Sequence, residues 1–110
     1  MVNGLAELDG AFAALSHPVR RQIVERLAHG PATVGEAAAG TGVSKPAITK
    51  HLRMLEKADV ISRVVEGRTH RLSLNAVPLE DASGWIDRQR ALWERKFDVV
   101  EAYLEERKGR

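Results

Sequence analysis

The sequence predicts a mainly α-helical fold that carries one β-hairpin. Apolar residues recur at helical spacing in four short segments and one long C-terminal segment, whereas residues 60–74 show the short, β-branched and alternating pattern of strands. The predicted order is therefore four helices, two strands and a fifth helix. A length of 110 residues corresponds to one domain, so we expect residues 1–110 to fold as a single unit.

The composition excludes several classes of protein. Hydrophobic residues make up 44% of the chain and charged residues 29%, which is enough apolar material for a core. The absence of cysteine excludes disulfides, thiolate metal sites and cysteine nucleophiles, and it fits a cytoplasmic protein. No apolar run approaches the roughly 18 residues of a membrane span, and the N-terminus lacks a signal-peptide pattern, so we expect no membrane partner.

Positive charge is concentrated in the middle of the chain. The net charge is only +2, but residues 16–75 contain ten Lys or Arg against five Asp or Glu, an excess of +5, while the two flanks are slightly negative. A basic segment of this kind is suited to phosphate. A solvated surface of the same charge is also common, so the charge alone does not decide between these readings.

The first two helices are predicted from apolar spacing and from their ends. The first carries a helical stripe formed by Leu5, Leu8, Phe12 and Leu15. Ser16 is predicted to cap the second helix, because serine accepts hydrogen bonds from free N–H groups at a helix N-terminus. Pro18 fits this position, since proline is tolerated in the first turn. Gly30-Pro31 is expected to end that helix.

A helix-turn-helix is predicted from residue 33 onward. Thr33 and Glu36 have the spacing of a capping box, which opens a short alanine-rich helix. Gly40-Thr41-Gly42 forms the turn, and Ser44 caps a fourth helix that ends near Ala58-Asp59.

The fourth helix has one apolar face and one basic face. Its inner face consists of Ile48, His51, Leu52 and Leu55. Its outer face and N-terminus present the predicted DNA contacts, which are Ser44, Lys45, Pro46, Thr49, Lys50 and Arg53. A recognition helix needs this pattern, because the basic face enters the major groove while the apolar face holds the helix to its domain. An amphipathic surface helix with solubilising lysines would show the same pattern.

The hairpin adds a second candidate contact with nucleic acid. Its tip lies at Gly67-Arg68, and the residues predicted to reach DNA backbone or minor groove are Arg68, Thr69, His70 and Arg71. The alternative is an ordinary solvated turn. A helix-turn-helix followed by such a hairpin is a winged helix-turn-helix.

Three segments resemble the ArsR/SmtB transcriptional repressors. Residues 15–23 resemble their second helix, residues 44–55 their recognition helix, and residues 66–74 their wing. The resemblance implies a non-enzymatic regulator, usually a repressor, that binds a pseudo-palindromic DNA operator as a homodimer through its first and last helices. Asp59 departs from the family, which often has glycine there, but aspartate tolerates the left-handed conformation better than most residues.

The residues that many members of that family use to sense metals are missing here. The third helix has no thiol, the last helix has no histidine, and the four histidines are dispersed at His17, His29, His51 and His70. We therefore expect no metal site and no cofactor. Ser16, Thr33 and Ser44 are explained as caps, and no catalytic residues are predicted.

The last helix, predicted from Leu79 to Arg107, is too long for a domain of this size to cover. At 1.5 Å per residue it spans about 43 Å, against a radius of gyration of about 13 Å for a compact chain. The predicted dimer interface consists of Leu5, Leu8, Phe12, Trp85, Ile86, Trp93, Phe97 and Val100. The alternatives are a helix bent back at Gly84, a pocket for an unknown small-molecule effector, and a protein-interaction module that docks a different partner through this helix.

Overall fold

The computed structural model describes residues 3–108, with only the backbone described for residues 3–5. It is mainly helical with a β-hairpin wing, which confirms the predicted class. The elements in chain order are α1 (Asn3–Ala14), α2 (Pro18–Ala28), β1 (Ala32–Thr33), α3 (Val34–Ala38), α4 (Lys45–Lys57), β2 (Ile61–Glu66), β3 (Thr69–Leu74) and α5 (Ala76–Lys108).

The sheet has a third strand that the sequence did not predict. The strand order is β1-β3-β2, and both pairs are antiparallel. In β1, Ala32 pairs with Leu72 and Thr33 with Arg71. Two residues are too few to show an alternating pattern, so β1 gave no signal of its own. Its pairing with β3 joins the start of α3 to the base of the wing.

The core forms where α2, α4 and the sheet meet. The largest fully buried side chains come from all three, namely Ile23, Leu52, Leu55, Val60 and Leu72. The predicted inner face of α4 is buried as expected, including His51. This packing fixes the direction in which the opposite face of α4 points.

The start of α2 differs from the prediction that Ser16 caps it. The cap is His17, whose Nδ1 accepts a hydrogen bond from the backbone N–H of Val19 at 3.1 Å. Ser16 lies two residues after the end of α1, and its hydroxyl instead donates to the Ala13 carbonyl at 2.6 Å. Carbonyls are unsatisfied at the C-terminus of a helix, and the serine lies within reach of that end.

The other two predicted caps are present. Ser44 Oγ accepts from the Ala47 N–H at 3.3 Å. Thr33 and Glu36 form a reciprocal capping box, with bonds of 3.0 and 3.2 Å between each backbone N–H and the other side chain. Asp59 adopts the left-handed conformation with φ of 58°, as predicted, and this turns the chain from α4 into β2.

The α5 helix is continuous past Gly84, so the bent alternative is wrong. Its 33 residues extend over about 50 Å. Ala82 is its buried residue, and every residue from 91 to 108 is exposed. The radius of gyration is 19.7 Å, well above the value of about 13 Å for a compact chain of this length. The protein therefore consists of a small winged-helix region, residues 18–74, which we call the reading head, and a long helix that projects from it.

Candidate nucleic-acid interface

The outer face of α4 is open to solvent along its whole length. The predicted contacts on this helix and its cap are all exposed, namely Ser44, Lys45, Pro46, Thr49, Lys50 and Arg53. The Thr49 hydroxyl donates to the Lys45 carbonyl at 3.1 Å, which leaves its methyl group and an oxygen lone pair directed outward. A face of this kind offers cationic donors, one hydroxyl and a methyl to a groove.

The wing extends beside this face as a hairpin. Gly67 has φ of 62° and makes the tight turn, so Arg68 and Thr69 lie at the tip, where both are exposed. Side chains alternate along β3, so Arg71 lies on the same face as Thr69 and is also exposed. His70 lies on the other face and is half-buried.

His70 belongs to a charged network that joins the wing to the recognition helix. Arg63 of β2 binds the Glu56 carboxylate in the last turn of α4 through two bonds, Nη2 to Oε1 at 2.6 Å and Nε to Oε2 at 3.2 Å. Its Nη1 lies 3.0 Å from His70 Nδ1. An arginine fork fixes orientation as well as distance. The network therefore sets the angle between wing and α4, and leaves His70 Nε2 free of the arginine.

Sequence reasoning missed Glu56 and Arg63. A signal existed, because the period of two places Arg63 on the apolar face of β2, beside Ile61 and opposite Leu72. A basic residue at such a position needs a partner. Which residue supplies the carboxylate depended on how α4 packs against β2, and spacing alone does not give that.

The predicted dimer residues fall into two groups. Leu8 and Phe12 of α1 are half-buried, and the Phe12 ring packs edge-on against Trp85 of α5 with ring centroids 5.7 Å apart. Further along α5, the exposed fractions of Trp93 and Phe97 are 62% and 63%, and Ile86 and Val100 are also exposed. The side chain of Leu5 lies outside the described residues.

A histidine pair lies behind α4, where the reading head meets α1. The rings of His17 and His51 have centroids 4.3 Å apart, and Arg20 Nη1 lies 3.3 Å from His51 Nδ1. Burial lowers the pKa of His51, and electrostatic repulsion from His17, Arg20 and Lys50 lowers it further. Because an arginine only donates, His51 accepts at Nδ1 and is neutral.

A helix-turn-helix domain family matches residues 15–64. Transcriptional repressor SdpR of Bacillus subtilis (strain 168) is 38% identical over 79 residues, covering 72% of this chain and 88% of SdpR. The crystal structure of an ArsR family transcriptional regulator shares 35% identity with a TM-score of 0.76, covering 81% of this chain and 92% of that one.

The chain belongs to the ArsR family of transcriptional regulators. A second structure, an ArsR-like transcriptional regulator from Rhodococcus sp. RHA1, is 30% identical over 96% of both chains with a TM-score of 0.78. This ArsR-family protein is a DNA-binding transcriptional regulator, as the sequence predicted. Its family is one of regulators, not of enzymes.

Two further findings concern the described part of the chain. None of the helices within residues 3–108 is both long and apolar enough to cross a membrane. Among the described side chains, no three His, Asp or Glu residues come together in a way that could hold a metal ion.

The lowered pKa of His51 predicts a dependence of stability on pH. The unfolded state takes up this proton near pH 6.5 and the folded state only at lower pH, so acid favours unfolding. The stabilisation by neutral His51 is thus complete above about pH 7 and declines as the pH falls through 6.5. Denaturant unfolding of wild type and His51→Asn between pH 8 and 5 measures this, because the difference removes the other titrating groups.

We expect wild type to lose stability relative to His51→Asn as the pH falls. Gln22→Asn, at an exposed residue of α2 that does not titrate, is the control and should show no such divergence. A difference between wild type and His51→Asn that is the same at every pH would contradict the prediction.

Proposed function

We propose that this ArsR-family regulator represses transcription as a homodimer that inserts two α4 helices into successive major grooves of a pseudo-palindromic operator. The observation that carries the proposal is the division of α4 into a buried apolar face and a fully exposed basic face. The description of SdpR as a repressor supports the direction of regulation.

Each exposed residue of α4 has a role that follows from its chemistry. Lys45, Lys50 and Arg53 supply cations for guanine acceptors or phosphate, and Thr49 supplies a hydroxyl and a methyl. Ser44 and Pro46 shape the N-terminus of α4, where free N–H groups and the helix dipole favour phosphate. Base contacts by this face would provide specificity, and phosphate contacts would provide register.

The wing contributes contacts outside the major groove. Arg68, Thr69 and Arg71 are exposed on one side of the hairpin, and they would reach flanking backbone or minor groove when α4 is docked. His70 would contribute through its Nε2 only, since Nδ1 faces Arg63. The bond between Arg63 and Glu56 keeps these contacts at a constant angle to α4.

The second copy would cover the exposed apolar face of α5. Ile86, Trp93, Phe97 and Val100 form this face, and contiguous apolar surface of this extent marks an interaction site. Leu8, Phe12 and Trp85 lie where α1 meets α5 and would extend the seam. The same face would also suit a different protein, and the association state of the purified chain separates these occupants.

Removing charge from the outer face of α4 should weaken DNA binding. The double variant Lys50→Ala/Arg53→Ala is expected to lower affinity at least about tenfold for a duplex selected from a random library with wild-type protein. Both side chains are exposed, so the melting temperature should be unchanged. Fluorescence anisotropy measures the affinity.

The matched control for this variant is Arg88→Ala/Arg95→Ala, which removes the same charge from exposed positions on the side of α5 away from Trp93. It should bind the selected duplex within about twofold of wild type, because neither residue is on the reading head. Equal losses for the two double variants would show that α4 does not read the DNA.

A charge in the centre of the exposed α5 face should abolish the dimer. Trp93→Glu places a carboxylate where the partner would exclude water, and an unpaired buried charge costs several kcal/mol. Sedimentation velocity at micromolar concentration should show a dimer for wild type and a monomer for this variant.

Ala91→Glu is the control, since residue 91 is exposed and lies about 200° from residue 93 around the helix. It adds the same charge to the opposite face and should remain dimeric. A wild-type protein that is monomeric at this concentration would refute the proposed assembly.

A further inference from the structure

The Arg20 side chain joins three helices through one guanidinium. From α2, its Nε donates to the Ala14 carbonyl at 2.7 Å, and Nη2 donates to the Ala13 carbonyl at 3.0 Å and to Ser16 Oγ at 3.2 Å. Its Nη1 lies 3.3 Å from His51 Nδ1 on α4. One planar fork therefore binds the C-terminal end of α1 and the inner face of the recognition helix together.

His51 is well suited to receive this contact. Among the described residues it is the buried polar side chain, within an otherwise apolar inner face of α4. An apolar side chain at this position would make no directional bond, whereas an imidazole nitrogen accepts one only from a donor in its ring plane. The bond therefore restricts how α4 rotates and slides against α2.

The end of α1 that Arg20 binds lies next to the contact between α1 and α5. Phe12 packs on Trp85 and immediately precedes Ala13, whose carbonyl accepts from Arg20. A continuous set of contacts thus leads from α5, through the end of α1 and Arg20, to α4. The carbonyls that hold this guanidinium therefore lie at the end of the helix that packs on α5.

We propose that Arg20 is a positioning residue for DNA reading, which sets the orientation of α4 relative to the α1–α5 layer by binding His51 and the end of α1 at once. The inference rests on the proposed function, because it assumes that α4 reads the DNA. The guanidinium of Arg20 is held by the end of α1 and by His51, so its effect on DNA binding is exerted through the position of α4 and not by direct contact.

Arg21 provides a matched control within the same helix turn. Its Nη1 donates to the Leu15 carbonyl at 2.8 Å, so it also binds the chain at the end of α1 and carries the same charge. Among the described residues its hydrogen bond is with this turn and not with α4. Arg20→Gln and Arg21→Gln therefore lose equal charge and both lose bonds at the end of α1, three for Arg20 and one for Arg21, but only Arg20→Gln loses the contact with His51.

The test compares two duplexes of equal length, one selected from a random library with wild-type protein and one of random sequence. Arg20→Gln should lower affinity for the selected duplex about tenfold, while its affinity for the random duplex should match that of Arg21→Gln. Sedimentation velocity and melting temperature verify assembly and folding. If Arg20→Gln fails to fold, Arg20→Lys keeps the charge without the fork and should show the same selective loss.

A double-mutant cycle then tests whether Arg20 acts through His51. In a His51→Leu background, Arg20→Gln should cause little additional loss of selected-duplex affinity. His51→Asn, whose side-chain oxygen can replace Nδ1 as acceptor, should bind more tightly than His51→Leu.

Three outcomes would overturn the inference. The first is an equal loss of affinity for the selected duplex in Arg20→Gln and Arg21→Gln. The second is a double variant Arg20→Gln/His51→Leu whose fold-loss of affinity equals the product of the two single fold-losses, which would show that the residues act independently. The third is a wild-type protein that selects no duplex, which would overturn the proposed function as well and is thereby distinguishable from the other two.

Discussion

The outer part of α5, residues 91–108, is apolar on one side and is not covered by any other described residue of the chain, and the organisation of the molecule follows from this constraint. The helix is about 50 Å long, whereas the reading head consists of four short elements (α2, β1, α3 and α4) and a hairpin. Exposing apolar surface to water costs a free energy of roughly 25 cal/mol per Å². A second copy bound to this face, as proposed, would lie at a fixed position relative to α4.

Within the reading head, α4 is held by packing and oriented by two arginines. Leu52 and Leu55 anchor it in the core, which fixes the face that points outward but supplies no directional bond. Arg20 binds its inner face from the side of α1, and Arg63 binds its last turn from the side of the wing. Apolar burial provides most of the stability, while the guanidinium bonds supply direction, which a groove-reading helix requires.

Much of this architecture was predictable because its determinants are local. The period of α4 gave its two faces, the spacing of Thr33 and Glu36 gave the capping box, and the change of period at residue 60 gave the hairpin. The failures share one cause, which is dependence on tertiary placement. Ser16 lies close enough to the end of α1 to bond there, so the cap of α2 shifted to His17.

The bonds of Arg20 with His51 and of Arg63 with Glu56 were not predictable for the same reason. In each pair the two residues lie on different elements, so no helical or strand period relates them. The contacts of individual residues with DNA and with a second copy stay predictions. They agree with the exposure of α4, the wing and α5.

In the proposed homodimer, two copies joined through α5 place their α4 helices at the spacing of successive major grooves. The chain has no cysteine, so Lys50→Cys gives one spin-label site per copy on the outer face of α4. Pulsed dipolar EPR of the labelled protein should show one distance population centred near about 34–36 Å, broadened by the label side chains. The absence of dipolar coupling, or a distance too short for two grooves, would contradict the account.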